Sequence, residues 1–200
     1  LPTGGWGYDH FPMSASYTRT LGRNFLGMTG KFHQAWGEFG GFKHPNALIY
    51  ETSLSLAMGA GCSIGDQMHP EGRLNPSTYK LIGAAYSEVE KKEPWCIGAE
   101  NVADIAVFGQ EATTYDRFCE KASSDVGANH ILLETHRLYN FIDEYEDFNK
   151  YKLIILPDGT KEPIGYSWRL NSKSKNLLYA VTVPKGWEWF NSVRDDERFK

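Results

Sequence analysis

Two glycine-rich loops, each bound to a short apolar run, constrain this chain more than any other feature. The first is Gly30-Lys31-Phe32-His33-Gln34-Ala35-Trp36-Gly37-Glu38-Phe39-Gly40-Gly41, entered from Phe25-Leu26-Gly27-Met28. The second is Gly61-Cys62-Ser63-Ile64-Gly65-Asp66-Gln67-Met68-His69-Pro70, headed by its own apolar run Cys62-Ser63-Ile64. The helix-like stretch Ala47–Ala60 lies between them. A buried strand that ends in a loop of polar, aromatic and acidic residues is how parallel α/β folds build sites.

The rest of the chain fits strand, loop and helix around that pair. Leu1–Pro12 reads as loop, with Gly4, Gly5 and Gly7 among Trp6, Tyr8, Asp9 and His10. Ser14–Leu21 reads as a short helix stopped by Gly22. Asn24–Met28 is expected to be a strand and Thr29–His44 its loop. Pro45 suits a first helical turn, and Ala47, Tyr50, Leu54, Ala57 and Met58 recur at helical spacing. Cys62–Ile64 is the second strand. Asn75-Pro76 then combines a cap with a first-turn proline, and Tyr79, Ile82, Tyr86 and Val89 form a stripe that Pro94 is expected to end.

Pro94–Asn101 resembles a boundary, after which the alternation restarts. Val102–Phe108 reads as a strand, Gly109–Thr114 as a loop and Tyr115–Leu138 as mostly helix. Phe141-Ile142 and Leu153–Leu156 read as short strands, the latter ending at Pro157-Asp158-Gly159. Beyond Thr160 only Leu177–Val183 is strand-like, with at most a hairpin expected. Strands alternating with helices predict an α/β fold with a parallel sheet or barrel.

Composition narrows the function. The net charge of −4 without a basic stripe speaks against nucleic acid. No run approaches the roughly 20 apolar residues of a membrane span, and a cytoplasmic location is expected. Aromatics make up 14% and include six Trp, several beside Gly and His, which suits stacking on ring-shaped ligands. Cys62, Cys96 and Cys119 lack CxxC spacing, so Cys62 is expected to be a buried free thiol. The chain opens on Leu1-Pro2-Thr3-Gly4-Gly5, as expected of a piece of a longer protein.

Taken together, Leu1–Pro12, Gly30–Gly41, Gly59–Arg73, Lys91–Trp95 and Tyr151–Asp158 resemble glycoside hydrolases that join a (β/α)8 barrel to a β-galactosidase-type trimerisation domain. These are relatives of glycoside hydrolase family 42, often described as a hypothetical glycosyl hydrolase or α-amylase-like family. The resemblance covers about three-quarters of the chain. It implies that residues 1–95 are the C-terminal part of a TIM barrel, from about its sixth loop to its eighth helix. Residues 99–159 would begin a trimerisation domain similar to the class I glutamine amidotransferase (flavodoxin-like) fold, and 160–200 stay unassigned. Nothing in Gln110–Tyr115 supplies an amidotransferase cysteine, so that domain is expected to be structural. The implied enzyme is a glycosidase, β-galactosidase- or α-fucosidase-like, trimeric at full length, with the 200-residue chain inactive alone.

Glycoside hydrolysis needs two carboxyl groups flanking the bond. Asp9, Glu38, Glu51, Asp66 and Glu71 are available in the barrel part. Glu51 falls mid-helix, on an expected solvated face. Glu38 and Asp66 follow strands and are the expected catalytic pair, facing one cavity with Trp36 and His33 at its border. Partial burial of Glu38 against aromatics suits proton donation. The bland alternative is a loop carboxylate capping backbone or pairing with Lys31, Lys43 or Arg73. Trp6, Tyr8, His10, His33, Trp36 and His69 are expected to bind substrate, the tryptophans by stacking. The histidines lie in separate loops without HxxxH spacing, so no metal is expected, and no cofactor. The family 42 nucleophile, a Glu ending the seventh strand, does not carry over, because Thr29 stands there. The non-enzyme alternative is a carbohydrate-binding or oligomerisation remnant.

Overall fold

The computed structural model describes residues 7–109, 123–157 and 177–180. They form a mixed α/β structure in which every paired strand is parallel to its neighbour. The chain divides into two units, Leu1–Asn101 and Val102–Lys200.

In the first unit, α1 (His10–Thr18) leads through a 3-10 turn to β1 (Leu26–Gly30). Then follow α2 (Pro45–Ala57), β2 (Gly61–Gly65) and α3 (Pro76–Cys96). Strands β1 and β2 pair in register from Leu26 with Gly61 to Gly30 with Gly65. The starts of α2 and α3 obey the proline signals in the sequence. The His44 Nδ1 accepts the Asn46 N–H ahead of Pro45, and the Asn75 side chain accepts the Ser77 N–H ahead of Pro76. Gly22 takes the left-handed conformation, φ 64°, that ends the 3-10 turn.

Four readings need correction. The first helix starts at His10, not Ser14, since Pro12 falls within its first turn, where a missing N–H costs nothing. Pro94 does not end α3, because the Ile97 N–H bonds the Glu93 carbonyl and the ladder resumes beyond it. The apolar stripes mark the buried faces only in part: Leu54 of α2 and Met58 at its end pack against a core cluster and Ile82 of α3 is buried, but Tyr50, Tyr79 and Tyr86 are exposed. Helix α2 buries Leu48, Glu51, Thr52 and Ser55 and leaves Tyr50 exposed, while α3 buries Thr78, Ile82 and Ala85. Glu51 is therefore not on a solvated face. It is fully buried.

Small hydroxyl side chains make the α2 face possible. Thr52 Oγ1 donates to the Leu48 carbonyl at 2.9 Å and Ser55 Oγ to the Glu51 carbonyl at 3.0 Å, so both polar groups are satisfied inside the helix. They leave room for close helix-to-strand packing. Gly27 of β1 meets Ser55 and the Phe11 ring of α1 so closely that a methyl group there would collide with both.

In the second unit, β3 (Ile105–Phe108), α4 (Ser123–Glu134), β4 (Tyr139–Ile142), β5 (Leu153–Leu156) and β6 (Leu177–Ala180) follow in order. The sheet runs β4-β3-β5-β6. Its core gathers Ala106, Phe108, Ile142, Tyr151 and Ile154, with Phe148 edge-on to Phe108. The strand-like run of the tail is β6, parallel to β5. The expected loop 109–114 is described only at Gly109, and most of the tail lies outside the described residues.

Among the described residues no helix is long and apolar enough to cross a membrane. Cys62 is free and only partly buried, and its burial pushes the thiol above its ordinary value.

Candidate active site

The C-terminal ends of β1 and β2 lie side by side, and both glycine-rich loops leave from there. Lys31, the first residue past β1, is sewn into place by its backbone. Its N–H bonds the Gly65 carbonyl at 3.0 Å, and its carbonyl accepts the Lys43 N–H at 2.6 Å. The loop 32–42 is thus closed at its base like a purse. Phe32 is buried, and Trp36 packs edge-on to it with ring centroids 5.2 Å apart.

Trp36 owes its position to two missing side chains. Gly30 and Gly65 face each other as the last register pair of the two strands. The indole lies over both, and a methyl on Gly65 would run into it. More than half of Trp36 stays exposed, at 56%. Flat aromatic surface held on one side and open on the other is suited to a sugar face.

Glu38 sits at the far bend of the same loop, half-buried, with its carboxyl packed against Gly41. Its Oε2 accepts the Gln34 N–H at 3.0 Å. Asp66 directly follows β2. Its Oδ1 accepts the Gln67 N–H at 2.7 Å and faces Lys31 Nζ at 4.0 Å. The two loops touch again where Phe39 meets the His69 ring, centroids 6.0 Å apart. His69 Nδ1 in turn accepts the Glu71 N–H at 3.2 Å.

The remaining expected site residues scatter. His33 is exposed on the first loop. His10 lies in α1 beside Ser14 and shares with Trp36 a groove of about 500 Å³ also lined by Leu26 and Met28. Glu38, Asp66 and His33 do not line that groove. Tyr8 turns to the opposite, helix-covered side of β1, where its hydroxyl donates to Glu51 Oε1 at 3.2 Å. Burial and the neighbouring Glu51 charge both raise the Tyr8 phenol above its ordinary value. Trp6 lies outside the described residues.

Two lysines carry more of this arrangement than the sequence suggested. Lys43 Nζ reaches both Glu51 carboxylate oxygens, at 3.1 and 2.9 Å, and Thr29 Oγ1 at 3.0 Å. Thr29 also donates to Glu51. Lys31 Nζ, likewise buried, donates to the Phe39 and Gly41 carbonyls at 2.7 and 3.2 Å. The signal in the sequence is a lone lysine beside aromatic residues, Gly30-Lys31-Phe32 and Phe42-Lys43-His44, far from any charged run. The third candidate pairing, Arg73, meets Glu71 in an exposed ion pair of little energetic weight. Among the described residues no group of three His, Cys, Asp or Glu side chains is placed to hold a metal ion.

No protein-family model and no curated protein matches the chain. Solved structures do. The α-L-fucosidase isoenzyme 2 from Paenibacillus thiaminolyticus matches 79% of this chain at 56% identity, with a TM-score of 0.73. The relationship is to glycoside hydrolases. The β-galactosidase from Bacillus circulans sp. alkalophilus follows at 16% identity over 78% of the chain, TM-score 0.60. A GH42 β-galactosidase from G. stearothermophilus matches 74% of it at 15% identity, TM-score 0.56. These last two share the fold. The chain spans about a quarter of each, 24%, 27% and 25%.

Proposed function

We propose that this chain is the part of a glycoside hydrolase that carries the seventh and eighth strands of its (β/α)8 barrel, β1 and β2. The second unit would begin the trimerisation domain, and its strand order, β4-β3-β5-β6, supports a flavodoxin-like sheet there. The substrate is an oligosaccharide glycoside. The 56% identity to an α-L-fucosidase favours an α-L-fucoside over a β-galactoside.

One observation carries the reading. Two loops with candidate carboxyls leave the same end of two adjacent parallel strands and meet through Lys31 and Asp66. That end is where barrel enzymes gather their chemistry. Glu38 is the proton donor, and Asp66 is the second carboxyl or a hydroxyl acceptor for the sugar. Trp36 supplies the stacking surface, with His33 and His69 at the rim.

A second reading has an observation of its own. Glu38 accepts the Gln34 N–H within its own loop, as a purely loop-holding residue would. Glu38→Gln in the full-length protein separates the two. As proton donor, Glu38 contributes about 10²–10⁴-fold, so the loss falls on kcat. It should shrink for an aryl glycoside whose leaving group needs little protonation. A loop-holding role predicts a change mainly in KM, similar across leaving groups. Equal kcat for variant and wild type removes the assignment.

A further inference from the structure

We infer that Lys31 is the positioning residue of this site, holding the Glu38 loop in fixed register with Asp66. The inference rests on the glycosidase reading above, but its geometry stands apart from it.

An ammonium group taken out of water costs several kcal/mol unless charges or hydrogen bonds replace the water. Lys31 Nζ finds three kinds of replacement. The Phe39 and Gly41 carbonyls accept from it, on the stretch just past Glu38. The Asp66 carboxylate faces it from the neighbouring strand end. Phe32 and Phe42 place their rings 5.3 and 4.8 Å from it, within cation–π range. The contacts span four segments: the base of the loop, its far bend, its return, and the start of the second loop. A neutral side chain would leave two carbonyls without their donor and Asp66 without its facing cation.

Lys43, the other buried lysine among the described residues, makes the contrast clear. Its partners Thr29 and Glu51 lie on the helix-covered side of β1. The Lys31 contacts lie on the loops that carry the candidate chemistry.

The test uses the full-length protein with Lys31→Met and Lys31→Arg, alone and combined with Asp66→Asn. Lys31→Met should speed hydrogen exchange in residues 32–41 while leaving α2 protected. It should also lower kcat on a 4-nitrophenyl glycoside by up to about 10²-fold, since small misplacements of reacting groups cost that much, with KM changing far less. Asp66→Asn added to Lys31→Met should cost less than Asp66→Asn alone, because both act on one arrangement. Lys31→Arg should recover part of kcat. Should Lys31→Met not fold, Lys31→Arg with and without Asp66→Asn gives the same non-additivity. Unchanged exchange in 32–41, or strictly additive losses, would overturn the role of Lys31. Wild-type kcat in both Glu38→Gln and Asp66→Asn would instead overturn the catalytic reading, and the two failures are thereby told apart.

Discussion

Strands β1 and β3 begin from similar short apolar sequences and end in different surroundings. Strand β3 has hydrogen-bonded neighbours on both edges, and Ala106, Val107 and Phe108 are all fully buried. Strand β1 has one neighbour among the described residues and alternates. Gly27 and Thr29 are buried under α1 and α2, while Leu26 and Met28 stand exposed. Strand β1 therefore has two unlike faces. One of its faces is a finished core, polar at its centre and closed by an ion pair. The other is apolar and open, and on the proposed reading it is the barrel interior that the rest of a longer protein completes.

The largest effect should come where a side chain is buried on all sides. Phe108→Ala is expected to destabilise the second unit by about 3–5 kcal/mol, measured by urea unfolding followed by circular dichroism. A loss below that of an ordinary surface change would mean that β3 is not the centre it looks like.

On β1 the same size of effect should come from a charge. Glu51→Ala leaves the Lys43 ammonium buried without its carboxylate, a loss of roughly 3–5 kcal/mol. Replacing both partners, Glu51→Leu with Lys43→Met, should recover most of it, because two apolar groups need no compensation. If the double variant is as unstable as the single one, the closed face is held by something other than the pair.

That pair explains much of what the sequence concealed. Several helix ends were legible, since Pro45, Asn75-Pro76 and Gly22 each do locally what their chemistry dictates, whereas Pro94 does not break α3 and the His44 cap carried no signal of its own. The parallel α/β alternation was legible too, since short apolar runs between helical stretches leave few other folds. The buried faces of α2 and α3 were legible only in part, through Leu54, Met58 and Ile82. An apolar stripe is a guide only when the buried surface is apolar, and α2 buries Thr52 and Ser55, whose hydroxyls bond within the helix, and Glu51, whose partner Lys43 is eight residues upstream. Glu38 and Asp66 were singled out because they follow strands, and Trp36 because it shares the Glu38 loop. Lys31 was weighed only as a partner for loop carboxylates, because a buried lysine has no periodic signature.

Within β1 the contrast sharpens over two adjacent positions. Gly27→Ala forces a methyl group against Phe11 and Ser55 and should cost about 1–3 kcal/mol. Met28→Ala, next along the strand but on the open face, should stay within about 0.5 kcal/mol in the 200-residue chain. Equal losses at the two positions would erase the distinction between faces.

On the proposed reading β1 and β2 bring part of a glycosidase site, whose other walls a longer protein would provide. Hydrolysis of 4-nitrophenyl α-L-fucopyranoside tests it most directly, compared between the 200-residue chain and the full-length protein at equal molar concentration. The full-length protein is expected to turn the substrate over, and the chain alone to show none above background. Turnover by the isolated chain at the full-length rate would contradict it.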